Sequence, residues 1–153
     1  MNSPIQYLAE IKRRALATFI DYLFFSVFHV WFLLEFGDTE LIDGRQAFNI
    51  EGPLGFIPLI VWFITFPVME SVEGKTVGKL IMKLKVVRLD GQPLTLLDAI
   101  KRRVLDWIDF ALLGLPSLIA STNSRFRQRL GDMWAKTSVI DLSVIEKIDE
   151  GNV

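Results

Sequence analysis

ALATFIDYLFFSVFHVWFLL, residues 15–34, decides the fold. As a helix this stretch is about 30 Å long, the thickness of a bilayer's hydrocarbon core. Its only charge is Asp21. Lys12, Arg13 and Arg14 precede it, as basic residues precede a signal peptide's apolar core. The run is longer than such a core, however, and Glu35-Phe36-Gly37-Asp38 follows with no small-x-small cleavage pattern. The expectation is a retained transmembrane helix over 15–34. A second stretch, LGFIPLIVWFITFPVM at 54–69, carries no charge and is long enough to span when read from Gly52. Pro58 and Pro67 predict bends, which membrane helices tolerate where neighbours satisfy the freed carbonyls.

A third stretch, VLDWIDFALLGLPSLIA at 104–120, contains Asp106 and Asp109 and is interrupted by Gly114 and Pro116. It either spans or re-enters, turning back at Gly114-Leu115-Pro116. Irregular backbone at such depth is stable only where protein or water surrounds it. The fold class expected is therefore an α-helical integral membrane protein with two transmembrane helices and a third spanning or re-entrant segment. One membrane domain covers 1–153, with an outer loop at 35–53, a cytoplasmic segment at 70–103 and a cytoplasmic tail at 121–153.

Composition agrees. In 153 residues, 51 % are hydrophobic and 23 % charged, with mean hydropathy +0.37, a combination that requires apolar and charged blocks. A net charge of −1 argues against nucleic acid as a partner. The absence of cysteine excludes disulfides, thiolate metal sites and cysteine catalysis. A single histidine, His29, excludes multi-histidine metal sites, and no nucleophile–base pair or cofactor loop is visible. No metal, no cofactor and no enzymatic activity are expected.

Charge sets the orientation. The 35–53 loop holds five acids and one base, Arg45, whereas 70–103 holds eight bases and four acids. By the positive-inside rule the N-terminus and 70–103 are cytoplasmic. Arg125, Arg127 and Arg129 also favour the cytoplasm, which favours re-entry for the third stretch.

The 70–103 segment is patterned. Val77, Leu80, Ile81 and Leu84 share one helical face, with Lys75, Lys79 and Lys83 opposite. This predicts a short basic amphipathic helix, lying either on an anionic membrane surface or on the protein itself. Residues 85–89 alternate like a strand and Asp90-Gly91 is a turn signal, so a small β-hairpin is expected. Residues 137–142 are strand-like too and suit pairing with 84–89. Thr95 and Asp98 have capping-box spacing, which starts a helix at Leu96.

Asp21 is the sharpest chemical feature, because an acid within a membrane helix costs about 2.5–3.5 kcal/mol and is normally paired, protonated or wet. Arg14 lies seven positions earlier, and Arg102 lies seven before Asp109, so a basic group twice precedes a deeper acid. Asp106 shares a helical face with Asp109. An intramembrane polar cluster of Arg14, Asp21, Arg102, Asp106 and Asp109 is expected. His29 reads as a proton relay or as a polar residue bonded to a carbonyl or serine, and the four tryptophans read as interface or packing residues. Gly74-Lys75-Thr76 resembles the end of a phosphate loop, but the position of that loop's first glycine is Met69. Lys79, Lys83, Arg125, Arg127 and Arg129 are candidates for contact with anionic lipid headgroups or the aqueous surface.

Three stretches together carry a family resemblance: R-x-x-A-x-x-x-D at Arg14, Ala17 and Asp21; GKTVGKLIMKLKVVRLDGQPLT at 74–95; and RQRLGDMWAKTSVI at 127–140. The chain resembles the RDD family of small bacterial membrane proteins, named for an arginine and two aspartates. Arg14 and Asp21 match the arginine and first aspartate; the second falls on Asp132, which is favoured, or on Asp109. Gly74, Lys75, Thr76, Gly78 and Lys79 complete the motif residues. The resemblance implies the bacterial inner membrane, and for some members transport or monovalent cation/proton antiport has been proposed. The function expected is an accessory or assembly module of the membrane; the alternative is a small oligomeric cation/proton transporter using the Arg/Asp cluster. Either reading involves the lipid bilayer, with a homo-oligomer or another membrane protein as partner.

Overall fold

The computed structural model describes residues 7–42, 45–112 and 114–149. Helix α1, Ile11–Phe36, runs for 26 residues and ends where the Gly37 amide bonds the Leu33 carbonyl at 2.9 Å. Its buried residues near the start are Arg14, Ala17 and Asp21, three and four positions apart and so on one face. Phe19, Phe24, Val27 and Trp31 are more than half exposed. A soluble helix buries the opposite stripe. Among the described residues, buried polar side chains outnumber buried apolar ones. Lipid solvates apolar side chains as well as a protein core does, so the polar ones gather inside.

The second long helix, Gly52–Glu73, packs against α1 and is the other helix long and apolar enough to cross a membrane. It opens with a 3₁₀ turn at Gly52–Phe56, continues as α2 (Ile57–Phe63), widens to a π turn at Ile64–Val68, and closes as α3 (Met69–Glu73). Pro67 sits inside the π turn. It has no N–H to donate and its ring crowds the preceding turn, so the hydrogen-bond ladder is locally reset. Phe66 is thereby buried against Tyr22, with ring centroids 5.0 Å apart. Between the two long helices, the stretch expected as a plain loop holds an antiparallel pair, β1 (Asp38–Ile42) and β2 (Arg45–Asn49).

The remaining elements gather at the N-terminal end of α1. They are α4 (Val77–Ile81), β3 (Leu84–Arg88), α5 (Leu96–Val104), α6 (Asp106–Ala111), α7 (Leu115–Asn123), α8 (Leu130–Trp134), β4 (Thr137–Asp141) and α9 (Leu142–Asp149). Strand β3 pairs antiparallel with β4, Leu84 opposite Asp141 and Arg88 opposite Thr137. The pair joins distant segments and is not a local hairpin as expected after Asp90-Gly91. The Ala9 amide extends the sheet by donating to the Val139 carbonyl at 2.9 Å. Ala9, Ala17, Leu84, Val86 and Val139 form a small apolar core where sheet meets helix. Helix α5 starts at the expected capping box: Thr95 Oγ1 accepts from the Asp98 amide at 3.2 Å, and Asp98 accepts from the Thr95 amide at 3.1 Å.

Helix α4 departs from its expected orientation. It stops at Ile81, and Leu84 already belongs to β3. Lys79 is only 7 % exposed, whereas Leu80 and Ile81 are more than half exposed. The buried Glu70 carboxylate draws the lysine inward, so the polar face is the packed one. The third apolar stretch is broken where Gly114 adopts φ +77. Neither α6 nor α7 has the length of a span.

Candidate functional site

The site is built around two buried carboxylates. Glu70, in the last turn of the second long helix, has no exposed surface. Its Oε1 accepts from Arg102 Nε at 2.7 Å and its Oε2 from Arg103 Nη2 at 3.0 Å, and Lys79 Nζ completes the shell. Asp132, in the first turn of α8, pairs with both Arg14 and Arg102 and accepts from the Arg129 amide at 3.0 Å. Arg102 therefore bridges the two acids, and it also donates to Thr137 Oγ1 on β4 at 2.7 Å.

The network extends to either side. Arg103 reaches Asp106 at 3.0 Å and stands over the Phe66 ring, 4.8 Å from its centroid. Tyr22 donates to the same Asp106 at 3.3 Å. Asp21 is 2 % exposed; its carboxylate accepts from Thr76 Oγ1 at 2.5 Å and the Gly78 amide at 2.6 Å. Arg14 also donates to the Arg127 carbonyl, presented by a residue at φ +48. Four cations (Arg14, Lys79, Arg102, Arg103) thus pair with three acids (Glu70, Asp106, Asp132), and Asp21 beside them is held by two hydrogen bonds. Buried charges cost several kcal/mol each, roughly, unless such pairing and hydrogen bonding compensates them.

Burial pushes the Asp132 carboxyl up, but Arg102, Arg14 and Arg129 outweigh it and hold the group at about 2. Burial pulls the Lys79 ammonium down to about 8 against the opposing pull of Glu70. Burial also lowers Arg102 and Arg103, yet their acid partners raise both above the ordinary guanidinium value. The site is an ion-paired clamp, with Lys79 its most easily discharged cation.

Two glycines allow its close approaches. A Cβ on Gly78 would overlap the Ala17 carbonyl, and one on Gly131 would stand 2.5 Å from the Arg102 carbonyl. The residues matching the RDD motif lie mostly in this region: Arg14 on Asp132, Asp21 on Thr76 and Gly78, Ala17 against Gly78, and Lys79 on Glu70. Gly74 ends α3 at φ 72, and Lys75 is half-buried beside it. Of the two candidates for the second motif aspartate, Asp132 pairs with Arg14, while Asp109 accepts from Ser117.

The expected five-residue cluster is therefore divided. Arg14 and Arg102 meet, but on Asp132 and not on Asp21 or Asp109. Asp106 joins through Arg103, and Asp109 stands apart. The reason is geometric: Arg14 and Asp21 share a face of one helix, but their separation of seven residues is about 10 Å, and nearer partners intervene. Glu70 and Arg103 were not among the expected cluster residues. The signal for Glu70 was an acid ending an uncharged apolar stretch, where a membrane helix needs a compensated terminus.

Among the expected headgroup or surface residues, Lys79 is corrected to a buried clamp residue. Lys83 is exposed and pairs with Glu146 at 2.7 Å. Arg125 lies over the Phe126 ring and Arg127 is exposed. Arg129 is half-buried and donates to Thr18 Oγ1 at 2.7 Å. His29 stacks on Phe25, centroids 5.9 Å apart, and its buried Nδ1 has no hydrogen-bond partner among the described residues. Trp31 and Trp134 are about half exposed, and the Trp107 side chain lies outside the described residues.

Long helices with apolar outer surfaces and a buried ionic core define an integral membrane protein. Within that class, the chain belongs to the RDD family, whose family model matches residues 8–136. That range contains the whole clamp except Thr137. No curated protein and no solved structure matches the chain.

Proposed function

We propose that this protein is a non-catalytic module of the bacterial inner membrane, an accessory or assembly subunit whose ionic core is a structural clamp. The observation that carries this reading is the state of Asp21. It is 2 % exposed, both carboxylate oxygens are occupied, and it does not line the large cavity beside α1. A coupling acid for cation/proton exchange has to meet water and its ion alternately; a sealed one holds helices together.

In this reading the N-terminus, residues 70–103 and the tail face the cytoplasm, and 35–53 faces the opposite side. The charge asymmetry of these segments supports that orientation. The third apolar segment re-enters. Its two flanks support this, because Arg102 and Arg103 before it and Asp132 after it belong to one clamp. Exposed Arg125, Arg127 and Lys83 suit contact with anionic headgroups on that side. A second copy or another membrane protein is the partner expected on the exposed apolar faces.

The test uses purified protein in liposomes with an imposed sodium or potassium gradient and a trapped pH dye. Wild type and Asp21→Asn are compared at equal insertion. Asn preserves both hydrogen bonds, since the Thr76 hydroxyl can accept as well as donate. The expected result is no cation-dependent proton movement in either protein. Movement in wild type that vanishes in the variant overturns the reading and makes Asp21 a coupling acid.

A further inference from the structure

Two segments of this chain repeat each other in sequence and in shape. Residues 76–89 and 129–142 align without gaps, matching Gly78 to Gly131, Lys83 to Lys136, Val86 to Val139 and Leu89 to Leu142. Each is a short helix, α4 or α8, then a turn, then a strand, β3 or β4. The lysine in each turn is left-handed, Lys83 and Lys136 both at φ 53. Both helices bury their second and third residues, Gly78 with Lys79 and Gly131 with Asp132. Both leave the next two about half exposed, Leu80 with Ile81 and Met133 with Trp134.

The partners repeat as well. Val86 faces its own counterpart Val139 across the strands. The Leu89 amide donates to the Lys136 carbonyl at 3.0 Å and, reciprocally, the Leu142 amide to the Lys83 carbonyl at 2.8 Å. A local twofold axis therefore passes between the two valines, and it relates α1 to α5. Gly78 sits on the carbonyl of Ala17, the seventh residue of α1, and Gly131 on that of Arg102, the seventh of α5. The third residues of these helices, Arg13 and Asp98, pair with the last residue of the other unit's strand, Asp141 and Arg88 respectively.

Helix α1 enters the membrane, and the re-entrant reading above, on which this inference rests, has α5 lead into it from the same side. The run from Arg102 to Gly131 is too short for two crossings of about 20 residues each, so the second unit is a shortened copy of the first. An axis that superimposes two helices entering from one side runs close to the membrane normal, which puts α4 and α8 at one depth. Contacts with α1 fix that depth. Asp21 accepts from the Gly78 amide at 2.6 Å and Thr18 Oγ1 from Arg129 at 2.7 Å, so both short helices lie beside the first turns of the span. At this level α1 turns Leu16 and Phe19 outward, a lipid-facing surface that α4 and α8 continue.

We propose that α4 and α8 are twin interfacial helices, seating Leu80, Ile81, Met133 and Trp134 at one depth in the headgroup–acyl boundary of the leaflet that α1 enters first. Their polar sides are held by the clamp, so the apolar sides are the ones left outward. Lys83 and Lys136, both exposed, follow the apolar pairs and suit anionic headgroups at the edge of that boundary, where tryptophan is also favoured.

The chain has no cysteine, so single cysteines can carry a spin label in the full-length protein. Leu80→Cys and Met133→Cys are compared in liposomes of phosphatidylethanolamine and phosphatidylglycerol with two references. Leu23→Cys lies outward on α1, and Gln92→Cys is exposed in the loop after β3. Collision with oxygen, which partitions into lipid, against collision with a water-soluble nickel chelate reads depth. Both sites are expected at the same depth, about 5–10 Å into the boundary, shallower than Leu23 and out of the water that Gln92 meets. Nickel contact at either site equal to that at Gln92 overturns the proposal, as does a difference of one helical turn, about 5 Å. Spectral broadening relieved by unlabelled protein places a second copy on these faces and overturns the lipid assignment. Maleimide labelling of Asn123→Cys in the same liposomes reads re-entry independently. Loss of re-entry sinks both readings, whereas a water-exposed Met133 with Asn123 on the side of Lys101 sinks this one alone.

Discussion

Arg102 shows how one residue ties distant parts of this chain together. It touches Glu70 at the end of the second long helix, Asp132 on α8 and Thr137 on β4. No local rule of helix periodicity brings those three partners to one guanidinium. Asp132 makes the energetic consequence measurable. Its carboxyl is held at about 2, below the ordinary 3.8, because the arginines outweigh its burial. A depressed folded value means that its stabilisation is present in full above about pH 3.8 and is lost as the pH falls to about 2. Integrated over that window the contribution is roughly 2 kcal/mol. Thermal melts of detergent-solubilised protein between pH 5 and 2 are expected to show this loss in wild type. Asp132→Asn, already destabilised at neutral pH, is expected to show a shallower dependence over the same range. An identical slope in both proteins would place the acid sensitivity elsewhere.

At the scale of elements, α4 shows why periodicity misleads in lipid. Within it Lys79 packs inward and Leu80 and Ile81 face outward, while Leu84, expected on the same apolar face, is a buried residue of β3. In water the hydrophobic effect would turn Leu80 and Ile81 inward; here the pull comes from Glu70 and from the close seat of Gly78 on α1. Two glycines separate packing from backbone strain. Gly78→Ala drives a methyl into the Ala17 carbonyl, and the resulting separation of α1 and α4 is expected to cost about 1–3 kcal/mol. Gly114→Ala meets nothing within 4 Å, so only its left-handed backbone is penalised, by about 1 kcal/mol. Thermal unfolding of the two variants side by side tests the ranking. A milder effect at Gly78 would mean that α1 and α4 do not pack as closely as described.

At the scale of the whole molecule, the two long helices carry apolar surface outward and an ionic clamp inward, and the clamp draws on residues from both flanks of the third segment. Because the chain has no cysteine, single-cysteine labelling reads topology without background. Asn49→Cys is expected to react with a membrane-impermeant maleimide from one side of the membrane, and Lys101→Cys and Asn123→Cys from the other. Labelling of Asn123→Cys together with Asn49→Cys would establish a third crossing and refute re-entry. The membrane class, both long helices, the break at Gly114 and the start of α5 were legible in the sequence. Each rests on local information: uninterrupted apolar length, a glycine beside a proline, a capping pair three residues apart. The pairing of charges was not legible. Candidate acids and bases stood at similar spacings along the chain, and those spacings grouped Arg14 with Asp21 and Asp109, not with Asp132. Only the packing of α1, α5 and α8 decided between them. A buried charge is stabilised by whichever opposite charge approaches within a few ångströms, and that distance is a property of the tertiary fold, whereas hydrophobic length is a property of the sequence itself.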